Sequence, residues 1–164
     1  MPDLLAHALI AYSLALALSW RYGWISSEYL TIAMAGAFIP DLAKAALVLP
    51  SPVIERALGT PFDWFALHTT GGVLVSIALG SLVVAPGERR RVVPLLTLGA
   101  ASHLLADALL LTPSGRSYAV LWPLTRYHPP TPGLYLSTRP EPMIGALGVA
   151  IIFGLLTHYR RTSS

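Results

Sequence analysis

Five long apolar stretches constrain the fold of this chain more than any other feature of its sequence. They cover residues 4–20, 29–49, 62–86, 92–111 and 141–158. Each is close to the roughly 17–25 residues that a helix needs to cross the hydrocarbon core of a bilayer. The stretches therefore predict an all-α fold, an integral membrane bundle of four to five transmembrane helices.

The composition indicates the same class. The 164 residues are 54% hydrophobic and only 12% charged, whereas a soluble domain carries about 25% charged residues. The chain is too short for a second domain of any size, so we expect a single transmembrane helical domain over residues 1–164. The absence of cysteine excludes disulfides and thiolate metal sites.

Charge placement predicts how the chain sits in the membrane. Asp3 stands where a signal peptide would carry positive charge, so we expect a retained first helix. Basic residues are densest in the short loops opposite the start of the chain, at Arg21, Arg89–Arg91 and Arg160–Arg161. Dense positive charge favours the cytoplasmic side. We therefore predict a plasma (inner) membrane protein with an extracytoplasmic N-terminus, whose arginine run is a topology signal rather than a nucleic-acid site.

Two prolines mark helix boundaries. Pro40 cannot continue a regular hydrogen-bond ladder, which predicts a broken second helix with residues 42–49 as a short segment at the interface. Thr60 and Pro61, with Asp63 following, indicate the start of the third helix, with Thr60 as its N-cap. A long loop rich in proline and tyrosine, residues 112–139, follows the fourth stretch.

Four polar clusters interrupt these apolar stretches. They are His7, then Asp41 after Pro40, then Asp63 with His68, and finally His103 with Asp107. An ionisable group in a membrane span is costly and marks a candidate functional site. Histidine and aspartate together form a ligand set that a zinc- or manganese-type ion prefers.

The clusters fall at one depth if successive helices alternate in direction. His7 and His68 lie just inside the starts of the first and third stretches, and His103 and Asp107 lie near the end of the fourth. At 1.5 Å rise per residue, these groups fall roughly 5–13 Å below the side where the chain begins. His103 and Asp107 are four residues apart and share a helix face, so they can supply two metal ligands, or one ligand and an orienting carboxylate.

Each residue also has a purely structural explanation. His7 could instead form a hydrogen bond between helices. Asp41 could cap the helix that follows it, and Asp63 could belong to a capping box. His103 and Asp107 have the alternative of a buried polar pair that joins helices. Their shared depth favours a common site over separate structural roles.

The remaining polar residues divide differently. His68 has no local capping duty, which favours a ligand role for it. His128 lies in a loop and His158 at an interfacial helix end, and neither is expected in the site. Three loop arginines are more economically explained as solvated charges than as anion-binding groups: Arg116, Arg126 and Arg139.

The order and spacing of three motifs resemble a known family. The motifs are Met1-Pro2-Asp3-Leu4-x-x-His7, Gly36-Ala37-Phe38-Ile39-Pro40-Asp41 and Ser102-His103-Leu104-Leu105-x-Asp107. To about residue 126, the chain resembles the predicted membrane-bound metal-dependent hydrolases, also described as LexA-binding, inner-membrane-associated hydrolases. The closest likeness is to archaeal members. The resemblance implies a hydrolase with a divalent metal.

The chain departs from this family at two motifs. The family often has Pro-Asp-x-Asp, and here Ala43 occupies the second acidic position. It also often has His-Arg-x-x-Thr-His-Ser, in which Asp63 replaces the first histidine, His68 matches the second, and Thr69 stands for the serine. Aspartate can replace histidine as a zinc ligand. The missing second aspartate argues against a full two-metal site.

These observations lead to the hypothesis of a membrane-embedded metal-dependent hydrolase. The predicted ligands of a divalent metal, zinc first and manganese second, are His7, Asp41, His68, His103 and Asp107. Asp41 or Asp63 is the expected general base, with Asp63 also an optional ligand. By analogy with zinc-dependent phospholipases C and related nucleases, a phosphoester or lipid-like substrate at the membrane surface is the first class to test.

Two other functions stay open. A small transporter or ion-binding membrane protein would use the same polar layer, but it needs polar groups that continue towards the opposite side. The sequence offers few of these, namely Ser13, Ser76 and Thr97. A non-catalytic membrane scaffold, in which the histidines only pack helices, is the third hypothesis.

Overall fold

The computed structural model describes residues 2–163, and these are arranged in helices joined by short connections and one long loop. The elements are α1 (Pro2–Ser19), α2 (Ser27–Phe38), the 3₁₀ helix η1 (Pro40–Leu47), α3 (Ser51–Leu58), the 3₁₀ helix η2 (Trp64–His68), α4 (Thr70–Val83), α5 (Arg89–Asp107) and α6 (Glu141–Thr162). Among these described residues there is no strand, only two isolated bridges that involve the long loop. The predicted all-α class is confirmed.

The second apolar stretch breaks where proline predicts it. Helix α2 ends at Phe38, Pro40 opens η1, and the two helices are bent by 52°. Proline lacks the backbone N–H that a continuous helix needs, and its ring crowds the preceding turn. The break places Asp41 at the first turn of a new helix instead of in the middle of a long one.

The third apolar stretch is divided as well, and the prediction of a helix starting at Thr60 is wrong. Asp63 caps η2 by accepting a 2.9 Å hydrogen bond from the Phe65 backbone N–H. Thr69, in an extended conformation, then ends η2 and caps α4 by accepting from the Gly72 N–H. Both side chains satisfy backbone donors at helix starts, which divides the segment into two helices.

Helix α5 is the centre of the bundle because α1, α2 and α4 all pack against it. The approach of α2 is the closest, and two glycines permit it. A Cβ on Gly36 would lie 2.3 Å from the Leu96 carbonyl oxygen, and one on Gly99 would lie 1.9 Å from the Ala33 carbonyl oxygen. Small residues at such crossings let helix backbones touch, as is common in membranes.

The outer surface of the bundle is apolar. Large hydrophobic side chains of α4 and α6 are exposed, including Leu79, Val83, Ile152 and Leu155. In the described part of the chain, α6 is the one helix that alone is long and apolar enough to cross a membrane, and the bent pair of α2 and η1 qualifies if counted as one span. Leu4–Ser19 and Thr70–Val83 are shorter apolar helices.

The long loop folds back onto the helices. The Val120 carbonyl oxygen accepts a 2.7 Å hydrogen bond from the Thr70 N–H, and the Tyr135 hydroxyl donates to the Ala106 carbonyl oxygen at 2.7 Å. These bonds hold the loop beside the start of α4 and the end of α5. They also place Tyr118 against the ring of His68, with centroids 5.5 Å apart.

Candidate metal centre

The fold brings together five of the six predicted site residues. His7 comes from α1, Asp41 from η1, His68 from η2, and His103 and Asp107 from α5. All five are buried, and the exposed fractions of His7 and His103 are 2% and 0%. Residues far apart in sequence therefore meet at one end of the bundle.

Asp107 is the shared partner of the three histidines. Its Oδ1 lies 3.1 Å from His7 Nε2, and its Oδ2 lies 2.8 Å from His68 Nε2 and 3.4 Å from His103 Nε2. The rings of His7 and His103 stack with centroids 3.8 Å apart. The Nε2 atom of each of the three histidines therefore faces the carboxylate of Asp107.

The other ring nitrogens of two histidines contact backbone carbonyls. His103 Nδ1–H donates to the Ala37 carbonyl oxygen at 2.7 Å, so the neutral ring carries its lone pair on Nε2. His68 Nδ1 lies 3.3 Å from the Pro40 carbonyl oxygen. A neutral imidazole carries only one N–H, so His68 can donate to only one of its two neighbouring oxygens, the Pro40 carbonyl oxygen and Asp107 Oδ2. The lone pair of its other ring nitrogen then faces an oxygen. A cation beside Nε2 removes that conflict, and such carbonyl-oriented histidines are typical of metal ligands.

Two buried polar atoms of the centre support the same conclusion. Within residues 2–163, His103 Nε2 and Asp41 Oδ2 have no hydrogen-bond partner. Leaving a buried polar group unsatisfied costs about 1–3 kcal/mol, and more for a charged group. A divalent cation bound at His103 Nε2 would satisfy that nitrogen. The donor set of imidazole nitrogens and carboxylate oxygens suits zinc.

Two overlapping groups could hold such an ion. One consists of His7, His103 and Asp107, and the other of Asp41, His68 and His103, with the ligand atoms of each group within 4.8 Å of one another. Both groups need His103. Because His103 Nδ1 is bonded to Ala37, only its Nε2 is open to a metal, so the two groups cannot bind separate ions through this residue.

Lys44 is a residue of the centre that sequence reasoning missed. Its Nζ lies 2.6 Å from Asp41 Oδ1, and His103 Nε2 lies 3.9 Å from the same oxygen. Lys44 follows Asp41 by three residues on η1, and that spacing places them on one helix face. The spacing is a signal that could have identified the pair.

Asp63 is not brought into either group. Its carboxylate is exposed and caps η2 through the Phe65 N–H. It lines a different cavity, which also includes Glu55, Arg126 and His128. The capping explanation therefore accounts for Asp63 by itself.

The two remaining histidines also lie outside both groups. His128 is exposed, and its Nδ1–H donates to the Ser117 carbonyl oxygen at 2.9 Å. His158 is exposed on α6. Two loop arginines have local partners, since Arg116 donates to the His128 carbonyl oxygen and Arg139 pairs with Glu141.

A cavity of about 300 Å³ opens onto the centre. Asp41, His68 and Asp107 are among its polar lining residues, and Phe65 and Tyr118 also line it. The aromatic pair belongs to η2 and to the long loop, and it flanks His68 with ring centroids 5.6 and 5.5 Å away. The centre is therefore buried in the bundle but accessible through this cavity.

An apolar outer surface around a buried histidine–aspartate centre defines a helical membrane protein with a candidate metal site. The chain belongs to the YdjM inner membrane protein family, whose sequence profile matches residues 1–163. Membership confirms the predicted membrane class and the inner-membrane location. No curated protein and no solved structure matches the chain.

Proposed function

We propose that the protein is a membrane-embedded metal-dependent hydrolase that acts on a phosphoester or lipid-like substrate at the membrane surface. The observation that carries the proposal is the meeting of three histidine Nε2 atoms with Asp107, 2.8–3.4 Å apart, beside an open cavity that His68 and Asp107 line. Ligands that converge beside an accessible space characterise catalytic metal sites, whereas structural sites are closed.

The membrane arrangement belongs to the proposal as well. The bundle crosses the bilayer four to five times, with α6 and the bent pair of α2 and η1 as the best-defined spans. Helix α5 begins with Arg89 and its two neighbouring arginines, so its apolar part starts one turn later. His103 and Asp107 lie at the opposite end of α5 from these arginines. The centre is therefore near the other membrane surface, where a lipid headgroup or a soluble ester can reach it.

The metal is one divalent ion, zinc in the first instance and manganese as the alternative. His7, His103 and Asp107 hold it, with His68 and Asp41 beside them as further ligands or orienting groups. Such an ion supplies Lewis acidity and makes water nucleophilic near neutral pH. A single ion is consistent with Ala43, because the membrane-bound metal-dependent hydrolases that the chain resembles often carry a second aspartate at this position.

Asp41 is the general base of the proposed reaction. It lines the cavity, and its buried Oδ2 has no hydrogen-bond partner among the described residues, so this oxygen can accept a proton from an attacking water. Lys44 holds the other oxygen of the same carboxylate at 2.6 Å. That ion pair fixes the orientation of Asp41 towards the substrate.

A transport function receives less support from the side chains. Ser13 and Thr97 donate to carbonyl oxygens of their own helices, those of Leu9 and Val93, at 2.8 Å each. Each of these hydroxyls donates its proton within its own helix. They supply no path from the centre towards the opposite side.

Reconstitution separates the three functions. Chelator-stripped protein is loaded with zinc and assayed against a chromogenic phosphodiester and a chromogenic phosphomonoester. Zinc-dependent hydrolysis that is lost in His103→Ala and kept in His158→Ala supports the hydrolase. Zinc flux into proteoliposomes without hydrolysis identifies a transporter, and the absence of metal binding leaves the scaffold.

A further inference from the structure

The geometry points to a substrate class: the cavity above the centre is built for an amphiphilic phosphodiester that carries a single negative charge, and Lys44 is its anion-binding residue. This inference rests on the proposed function, because it counts the charge of one bound divalent ion. It adds the charge and shape of the substrate, which the metal ligands alone leave open.

The charges around the cavity carry the first step. Asp41 and Asp107 contribute two negative charges, and one divalent cation cancels them. Histidines bind a metal as neutral imidazoles, so Lys44, whose side chain is paired to Asp41, leaves one positive charge. Among the described residues that line this cavity, Lys44 is the one lysine or arginine. A monoanion balances this charge, whereas a dianion leaves one negative charge uncompensated in a partly desolvated site.

The position of the lysine carries the second step. Lys44 Nζ has three N–H donors, and Asp41 Oδ1 accepts at 2.6 Å, which leaves donor capacity for a substrate oxygen. Its side chain is 36% exposed, in contrast to 5% for that of Asp41, so Lys44 is the more accessible partner of the pair. A phosphoryl oxygen in the cavity can therefore accept from Lys44 while the phosphorus lies near the proposed metal.

The remaining lining of the cavity is largely apolar. Leu47 and Phe65 line it with exposed fractions of 75% and 39%, and Leu110 is a buried lining residue. Tyr118 and Ser137 are polar but neutral lining residues. Apolar side chains around a single cationic group suit a phosphate esterified on both sides with carbon chains.

Calorimetric binding to the full-length protein in detergent tests this inference. Zinc-loaded wild type is titrated at pH 8 with dibutyl phosphate, a monoanionic diester, and with octyl phosphate, a monoester with the same number of carbons. The monoester is a dianion at this pH because the second pKa of a phosphate ester is about 6. Dimethyl phosphate is a third probe, which separates a soluble diester from a lipid-like one. Inorganic phosphate is a fourth, which reports anion binding without ester groups.

The variants isolate the lysine. Lys44→Met removes the charge with little change in length, and Lys44→Arg keeps the charge. Arg56→Met removes a cation from α3, outside the cavity, and is the matched control. Circular dichroism and zinc content are measured for every variant, so a folding or metal defect is recognised independently of probe binding.

We expect wild type to bind dibutyl phosphate about tenfold more tightly than octyl phosphate, a difference of about 1.4 kcal/mol, because the monoester leaves one charge uncompensated. Lys44→Met should lose about tenfold in diester affinity, while Lys44→Arg and Arg56→Met stay within about threefold of wild type. Dimethyl phosphate should bind more weakly than dibutyl phosphate, because it lacks the methylenes that contact the apolar lining.

The outcomes distinguish the two proposals. Zinc-loaded wild type that binds octyl phosphate or inorganic phosphate as tightly as dibutyl phosphate overturns the substrate class and leaves the hydrolase standing. Unchanged diester binding by folded, zinc-loaded Lys44→Met overturns the role of the lysine. Dimethyl phosphate binding as tightly as dibutyl phosphate overturns the amphiphilic part. Wild type that holds no zinc overturns the proposed function, and the charge count fails with it. If Lys44→Met does not fold, the wild-type comparison of diester and monoester still decides the substrate class.

Discussion

His103 and Ala37 are joined by a 2.7 Å hydrogen bond from the imidazole Nδ1–H to the backbone carbonyl oxygen. In an unbroken helix that carbonyl would accept from the N–H four residues later, at Asp41. The break at Pro40 ends α2 at Phe38 and leaves the carbonyls of its last turn available to other donors. The proline therefore places Asp41 near the centre and fixes the ring of the histidine beside it.

Replacement of His103 tests the ligand assignment. His103→Ala should remove most of the bound metal while the helical content stays near that of wild type, because alanine favours helix and Nε2 is lost. Elemental analysis of chelator-free preparations measures the metal, and circular dichroism measures the fold. His158→Ala, which removes an exposed histidine of α6, should retain the metal. Equal metal content in the two variants contradicts a ligand role for His103.

Replacement of Asp107 tests its position between the three histidines. Asp107→Asn keeps the shape of the side chain but removes the charge that meets all three Nε2 atoms. If the carboxylate binds metal directly, most of the metal should be lost, whereas a carboxylate that only orients a histidine should weaken affinity about 10–100-fold. Zinc titration with a competing chelator separates these results.

Asp63 supplies the matched carboxylate for that experiment. Asp63→Asn should keep wild-type zinc affinity, since Asp63 is exposed and caps η2, and asparagine is also a good cap. Weakened zinc binding in this variant would show that Asp63 takes part in the centre after all.

The contact between α2 and α5 predicts an effect of adding one methyl group. Gly99→Ala places a Cβ 1.9 Å from the Ala33 carbonyl oxygen, so the helices must separate. Overpacking of this kind costs about 1–3 kcal/mol, and here it should also lower zinc affinity because Gly99 lies one turn before His103. Gly148→Ala on α6 meets nothing within 4 Å and should leave both unfolding temperature and zinc affinity unchanged or slightly improved. Equal thermal stability of the two variants would contradict the packing.

Membrane orientation is tested with two single cysteines in a chain that has none of its own. Ser114→Cys lies in the long loop and Ser163→Cys just after α6. With an extracytoplasmic N-terminus, an impermeant thiol reagent added to intact cells should label position 114 and not position 163. Labelling of position 163 alone would show that the N-terminus faces the cytoplasm and would contradict the prediction.

The convergence of the centre could be predicted from sequence because it depends on chain direction and helix rise. His7 near the start of one helix, and His103 and Asp107 near the end of another, share a depth whatever the details of packing. The all-α class and the break at Pro40 were predictable for similarly local reasons.

The features of the site that could not be predicted from sequence depend on local geometry that residue spacing does not specify. Asp63 and His68 were grouped because they are close in sequence, but capping turns the aspartate to the backbone and leaves only the histidine in the centre. Lys44 was not assigned to the site, because its pairing with Asp41 depends on the 3₁₀ helix that begins at Pro40. Tyr118 is brought to His68 by hydrogen bonds of the long loop, which no periodicity indicates.

The central claim is that one divalent ion binds among the three histidines and Asp107. A crystal structure of protein purified without chelator, with anomalous diffraction recorded on both sides of the zinc absorption edge, tests it most directly. We predict one anomalous peak per chain, within ligand distance of His103 Nε2 and an Asp107 carboxylate oxygen. A map with no peak at this centre, from protein that also takes up no zinc or manganese on titration, would contradict the claim.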